Sequence, residues 1–250
     1  MNAFLKRGFL AMKIEVWSDF VCPFCYIGKR RLEKALNGFS HKESVTIEYM
    51  SYQLDPAAQH IPGKDFYETF SELKGIPLEQ VKQMNHQVAK EASKVGLDYR
   101  FDTMQYGNTF DAHRVAKFAA KNGKGNELAE HFLHAYFTES EQLSNHETLT
   151  RLAGEAGLDK EKVKEILKTK KYSQQVNEDI DIARQIGVQG VPFFVFNEKY
   201  AVSGAQPSEV FNEVLEKVWE EEMSGAQRHH VQNPKKSKTS YCTDEGCDVK

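Results

Sequence analysis

Two close pairs of cysteines have the type and spacing to do chemistry in this chain: Cys22 and Cys25 in Cys-Pro-Phe-Cys, and Cys242 and Cys247 in Cys-Thr-Asp-Glu-Gly-Cys. Thiols this close swap bonds with foreign disulfides, one sulfur attacking and the other resolving, or else they hold a soft metal ion. The residues around the first pair favour exchange. Lys13 to Trp17 reads as a strand, Ser18 to Val21 as a turn, and Pro23 onward as a helix ending near Asn37-Gly38. Cys22 is then expected at the helix tip, where unpaired N–H groups and the positive end of the helix dipole favour a thiolate. Pro23 fits just inside, where no donor is lost, and Cys25 lies one turn further in, within bonding reach and tucked away from solvent. Pro23 and Phe24 bring no imidazole between the thiols. The expectation for Cys22 is therefore a lowered pKa, somewhere in the range of roughly 3.5 to 7.5.

The elements that must position these thiols follow from periodicity. Ser44 to Gln53 is rich in β-branched and aromatic residues and reads as a second strand closed by Asp55-Pro56. From Lys64 to about Lys171 no strand-like run appears. Helical spacing recurs over Asp65–Leu73, Leu78–Val95, Thr109–Lys121, Glu127–Thr138, His146–Ala156 and Asp159–Thr169. A helix from Tyr172 or Ser173 to Ile186 follows, then a hairpin of Phe193–Phe196 with Tyr200–Ser203 and a closing helix over Pro207–Met223. The order is β-α-β, a helical block, then α-β-β-α. This predicts an α/β sheet domain of residues 12–56 and 172–223, an all-helical insertion over 57–171, and a polar tail over 224–250 that carries Cys242 and Cys247.

Composition narrows the function further. A net charge of -3 over 250 residues does not suggest nucleic acid or an anionic membrane as a partner. No apolar run approaches the roughly 20 residues of a spanning helix. The opening MNAFLKRGFLAM is broken by Lys6 and Arg7 and has no cleavage-like segment, so the expected location is the cytosol, with Met12 a candidate start. Close cysteine pairs in a cytosolic chain point to redox or metal chemistry rather than to a disulfide framework. His131, His134 and His146 lack ligand spacing, and His146-Glu147 is not followed by the second His of a zinc hydrolase. There is no phosphate-cradling glycine loop and no serine-nucleophile elbow.

With VWSDFVCPFCYIGKRRLEKAL, NTFDAHR at Asn108 to Arg114, GVQGVPFFVF and SGAQ, the chain resembles the thioredoxin fold in its DsbA-like branch with a helical insertion. Within that branch it is similar to the FrnE-type cytosolic oxidoreductases, over roughly residues 12 to 222. The resemblance implies that Cys22 is the nucleophile, that Cys25 resolves the mixed disulfide, and that Val191-Pro192 is a cis peptide packed beside them. It would leave the carbonyl and N–H of Val191 free to pair with an extended substrate chain. It also implies that His113, with Asn108, Phe110 and Arg114, faces the active-site cleft. FrnE-like chains carry a similar tail pair, which favours a redox role for Cys242 and Cys247.

Other candidates each have a plain alternative. Trp17 and Phe24, with Pro23, would form an apolar platform for substrate, or belong to the core. His113 is alternatively a satisfied histidine at a domain seam. Lys29, Arg30 and Arg31 read as a solvated helix face, with attraction of glutathione carboxylates as the functional option. Cys242 and Cys247 are a second exchanging disulfide, a zinc or soft-metal half-site with His229 or His230, or incidental thiols.

The leading expectation is a thiol-disulfide oxidoreductase acting on protein or small-molecule disulfides and thiols, with no required cofactor and with glutathione as a candidate redox partner. Oxidase, reductase and isomerase are all compatible with it, and so is a homodimer. Two rivals stay open. One is a glutathione-dependent isomerase or kappa-type glutathione transferase, against which the second thiol argues. The other is a metal-binding, redox-sensing adaptor built on the tail cysteines.

Overall fold

The structure is a computed structural model that describes residues 12–61 and 63–224. Cys242, Cys247, His229 and His230 lie outside the described residues. The sheet has four strands in the order β2-β1-β3-β4, namely β1 (Met12–Ser18), β2 (Val45–Ser51), β3 (Phe193–Phe196) and β4 (Tyr200–Ser203). β1 and β2 run parallel, joined by helix α1 (Pro23–Gly38) as a crossover. β3 pairs antiparallel with both β1 and β4. The β3–β4 hairpin turns on Asn197 and Glu198, both at positive φ, as a tight hairpin of right-handed twist demands.

Alternation on β1 assigns its two faces. Met12, Ile14 and Val16 point toward α1 and the closing helix α9 (Ser208–Ser224), packing with Leu32, Ala35, Phe194, Phe211 and Leu215. Trp17 points the other way. It packs with Met50, Ala183 and Val188 beneath helix α8 (Ser173–Gln185). The sheet is thus covered on both faces, which is why β1 and β3 read as nearly continuous apolar runs.

Between β2 and α8 lie six helices: α2 (Phe66–Lys74), α3 (Leu78–Ser93), α4 (Phe110–Lys121), α5 (Gly125–Phe137), α6 (His146–Glu155) and α7 (Lys160–Lys168). Several begin on side-chain caps. Asp65 and Glu68 form a reciprocal capping box for α2, and Asn145 and Asp159 cap α6 and α7. Their core around Leu128, Phe132, Tyr136 and Phe137 extends to Phe20, Tyr26 and Ile27, on either side of Cys22. The active-site helix therefore begins where the helical block meets the sheet. Observed elements fall within a few residues of those expected from periodicity.

Candidate active site

Cys22 is the N-cap of α1, with extended backbone and with Pro23 as the first helical residue. The turn before it closes through the Cys22 N–H to the Asp19 carbonyl at 3.1 Å. The Cys25 N–H donates to the Cys22 carbonyl at 3.0 Å, so the first turn of α1 places the second sulfur directly behind the first. Both are free thiols within hydrogen-bonding reach of one another. Val191-Pro192 is a cis peptide, as the resemblance implied. The Cys22 thiol donates to the Val191 carbonyl at 3.4 Å, which puts the nucleophile against the segment that opens β3.

Gly28 makes this approach possible. A β-carbon there would lie 3.0 Å from Pro192 Cγ and 3.1 Å from Phe194 Cζ, closer than nearly all real side chains sit. On the other side, the Tyr99 hydroxyl donates to the Pro23 carbonyl at 2.7 Å, tying the first turn of α1 to the segment after α3. Phe24 and Pro23 are half-buried beside the thiols, with Phe24 packed on the helical core. Of the expected platform they are the part left at the surface.

The expectation of a lowered pKa for Cys22 is corrected. The residue is only 4% accessible. Its thiol is pushed well above its usual pKa by the neighbouring Cys25 thiol, by burial, and by the negative charges of Cys25 and Asp19. The Cys25 backbone N–H at the helix tip works in the opposite direction but is outweighed. A helix terminus contributes typically 0.3–1 kcal/mol at a surface, about 2 at best, whereas enclosing an anion costs several. The neighbouring thiol and burial together decide the sign.

Other residues move from substrate roles to structural ones. Trp17 is buried, and its indole N–H donates to the Asp179 carbonyl at 3.0 Å, so it belongs to the core and not to a platform. Asn108 accepts from the Phe110 N–H at 2.8 Å and from the Gln53 amide at 3.2 Å, and donates to the Pro56 carbonyl at 2.8 Å. It fastens the exit of β2 to the start of α4. Arg114 is buried and donates to the carbonyls of Ile166, Thr169 and Lys171 at the end of α7, while pairing with Asp111 at 2.6 Å. Phe110, beside it at the start of α4, is half-buried.

His113 does not line an open cleft either. It is 3% accessible, its ring lies 4.8 Å from that of Phe20, and its Nε2 is 3.4 Å from Asp19 Oδ1. It is therefore a seam residue that reaches the site through Asp19.

The basic run is likewise not a solvated face. Lys29 is buried, with Glu130 Oε2 of α5 at 2.5 Å and Glu33 as its other partner. Arg30 pairs with the same two carboxylates and stacks over Tyr26, whose hydroxyl donates to Glu130 at 2.6 Å. Arg31 donates to the Ala205 carbonyl and meets Glu91 at 3.4 Å. These three cations join α1 to the insertion and to the loop before α9. His146 pairs with Asp111 at 2.7 Å and His134 with Glu139 at 3.5 Å. Among the described residues no group of three His, Cys, Asp or Glu side chains could hold a metal ion.

Sequence reasoning missed Asp19. It is enclosed in the turn before Cys22, and its carboxylate accepts from the Leu54 N–H at 2.8 Å. The sequence signal was a carboxylate three residues before the first thiol, in the turn that joins the strand to the helix.

Comparison with known proteins places this geometry. Residues 13–216 match the DSBA-like thioredoxin domain. An uncharacterized protein of Bacillus subtilis, YwbO, is 28% identical over 210 residues, covering 82% of this chain and 96% of that one. The crystal structure of a probable DsbA oxidoreductase from Streptomyces coelicolor is 34% identical and superimposes with a TM-score of 0.78, covering 96% of this chain and 99% of the other. A 2-hydroxychromene-2-carboxylate isomerase shares the fold at 15% identity, with a TM-score of 0.61 over 86% of this chain and 100% of its own.

Proposed function

The chain belongs to the DsbA-like thioredoxin family and is a thiol-disulfide oxidoreductase, and on that premise we propose that it works through Cys22 and Cys25 by way of a mixed disulfide. The observation that carries this reading is the Cys22 sulfur at the tip of α1, with Cys25 behind it and the Val191 carbonyl 3.4 Å away. In the reducing direction the Cys22 thiolate attacks one sulfur of a substrate disulfide, and the other leaves as a thiol once protonated. Cys25 then gives up its proton, attacks Cys22, and releases the second substrate thiol. Two electrons pass from the protein dithiol to the substrate, and the protein is left with a Cys22–Cys25 disulfide. The oxidising direction is the reverse.

Substrate geometry follows from the same contact. An extended segment that pairs with the backbone of Val191 lays its disulfide across Cys22, with Phe24 and Pro23 as apolar neighbours. Such a segment competes with the Cys22 thiol for the Val191 carbonyl. The substrates in this reading are protein or small-molecule disulfides and thiols, glutathione is a redox partner, and no cofactor is needed. A cytosolic location is part of the reading, with which cysteines arranged as close redox pairs and not as a disulfide framework are consistent.

Cys22→Ser is expected to abolish both the reduction of insulin disulfides and the reactivation of scrambled ribonuclease. Full activity of that variant in both assays would overturn the mechanism. The glutathione-dependent isomerase alternative has the shared fold of the carboxylate isomerase in its favour. A glutathione-saturable isomerase activity surviving Cys25→Ala would support it, whereas loss of function with Cys25 supports the dithiol route.

A further inference from the structure

We propose that Asp19, held by His113, is a positioning residue that sets the poise of the Cys22–Cys25 pair so that it donates electrons and acts as a disulfide reductase. This rests on the dithiol reading above and adds the direction of electron flow.

The Asp19 carboxylate is 1% accessible and sits in the turn that leads into the nucleophile. One oxygen takes the Leu54 N–H at 2.8 Å, and the other faces His113 Nε2 at 3.4 Å. An asparagine would satisfy both contacts without charge. Enclosing a carboxylate costs far more than enclosing an amide, so holding the loop does not explain the charge.

The environment shows what the charge acts on. The charged and titratable groups around Cys22 are Asp19 on its own approach turn, Cys25 one turn on, and Tyr99 from the segment after α3. Those around Asp19 are Cys22, His113 of α4, Tyr106 of the loop before α4, and Tyr136 of α5. Among these His113 has a ring nitrogen within hydrogen-bonding distance of the Asp19 carboxylate. The Tyr136 hydroxyl is buried without a hydrogen-bond partner among the described residues, and so is Ser18 Oγ next to Asp19, so neither compensates the carboxylate.

The chemical consequence has a definite sign. A disulfide pair takes electrons strongly when its reduced form is favoured by a stabilised thiolate. Enclosed, with Cys25 one turn behind it and the buried carboxylate of Asp19 in the turn that caps its own N–H, the Cys22 thiolate has no such advantage. The reduced pair is then the less favoured partner and passes two electrons to a substrate disulfide. Each turnover releases two substrate thiols, leaves the Cys22–Cys25 disulfide, and needs a small-molecule thiol or a dithiol protein to return the electrons. His113 moderates the effect by holding a ring nitrogen against the Asp19 carboxylate as a hydrogen-bond partner.

The test reads the Cys22 thiol in the full chain, by peptide-resolved mass spectrometry of iodoacetamide alkylation across a pH series. Asp19→Asn is expected to move the alkylation midpoint down by about one pH unit and to raise the rate at pH 7 roughly tenfold. At one pH unit above the variant's own midpoint, its equilibrium constant for oxidation by glutathione disulfide should fall about fivefold against the wild type. His113→Leu, which leaves Asp19 uncompensated, is expected to shift the midpoint upward, and His113→Gln, which keeps a donor, to restore it. Asp19→Asn with His113→Leu should follow Asp19→Asn.

A wild-type-like profile for Asp19→Asn would overturn the proposal, as would a slowing of alkylation in both Asp19→Asn and His113→Leu. If Asp19→Asn does not fold, equal profiles for His113→Leu and His113→Gln overturn it, and an upward shift in the first alone supports it. Failure of the dithiol reading is separately visible, because Cys22→Ser would then keep insulin reduction whatever the alkylation profiles show.

Discussion

Cys22 is where the helix tip and the protein interior compete, and the outcome fixes how its reactivity depends on pH. Its folded pKa lies above the ordinary 9.0. In the neutral range only a small fraction is thiolate, and that fraction grows tenfold with each pH unit. Mixed-disulfide formation with a small disulfide, followed by stopped flow, is therefore expected to accelerate about tenfold between pH 7 and pH 8. A plateau reached below pH 7.5 would contradict the assignment. The linkage has a matching sign: because the folded state holds this proton more tightly than the unfolded chain, the reduced protein loses stability as pH rises beyond about 9. The two thiols themselves were legible from spacing. Their electrostatic setting was not, because it depends on Asp19 and on the fit of the helical block over the site. His113 illustrates the same limit. Its place near the site came from a motif, while its partner lies 94 positions away in the chain. By sequence alone Trp17 stays open between a platform and the core, and the structure takes the second reading, under α8.

At the scale of elements, the strands and helices were readable because the periodicity is strong and the breakers are well placed: Gly75 at the end of α2, Asp65, Asn145 and Asp159 at helix starts. What periodicity could not supply is which faces meet. Lys29, Arg30 and Arg31 looked like a solvated stripe because charged residues usually are, yet Glu130 of α5 and the Ala205 carbonyl stand opposite them. At the site α1 packs tightly against the segment of Pro192, at Gly28. Gly28→Ala must separate them by some tenths of an ångström, since Pro192 and Phe194 are both enclosed by other groups. The expected cost is about 1–3 kcal/mol, as for other overpacked sites, partly offset by the better helix propensity of alanine. Insulin reduction should fall further than folding alone explains, because the displacement falls between Cys22 and Val191. Denaturant unfolding and initial rates on the same preparation check this. A stable variant of unchanged activity would show that α1 tolerates the shift.

Across the whole molecule, the helical insertion and the sheet domain are joined by charge and by a shared core. Lys117 of α4 and Asp179 of α8 form a buried ion pair, and Asp179 also accepts from the Ser51 N–H at 2.6 Å on β2. Glu130 of α5 gathers Lys29, Arg30 and Tyr26 of α1, and these partners hold its carboxyl near a pKa of about 2 despite partial burial. The apolar core of the insertion continues into Phe20, Tyr26 and Ile27. Elements joined this tightly should unfold together. The sequence has two tryptophans, Trp17 on β1 and Trp219 on α9, both in the sheet domain, whereas far-UV dichroism is dominated by the helices of the insertion. Urea curves followed by fluorescence and by dichroism are therefore expected to coincide. Glu130→Gln should lower both midpoints in step, by about 1–2 kcal/mol once solvent screening at this half-exposed carboxylate is allowed for. Since the folded pKa of Glu130 is depressed, its contribution is complete above pH 4.5 and fades as pH falls toward 2. The difference between wild type and Glu130→Gln should shrink over that window. Curves that separate in the wild type would mean that the two parts fold independently, and a Glu130→Gln effect confined to one probe would mean that the charges at the seam stabilise one side only.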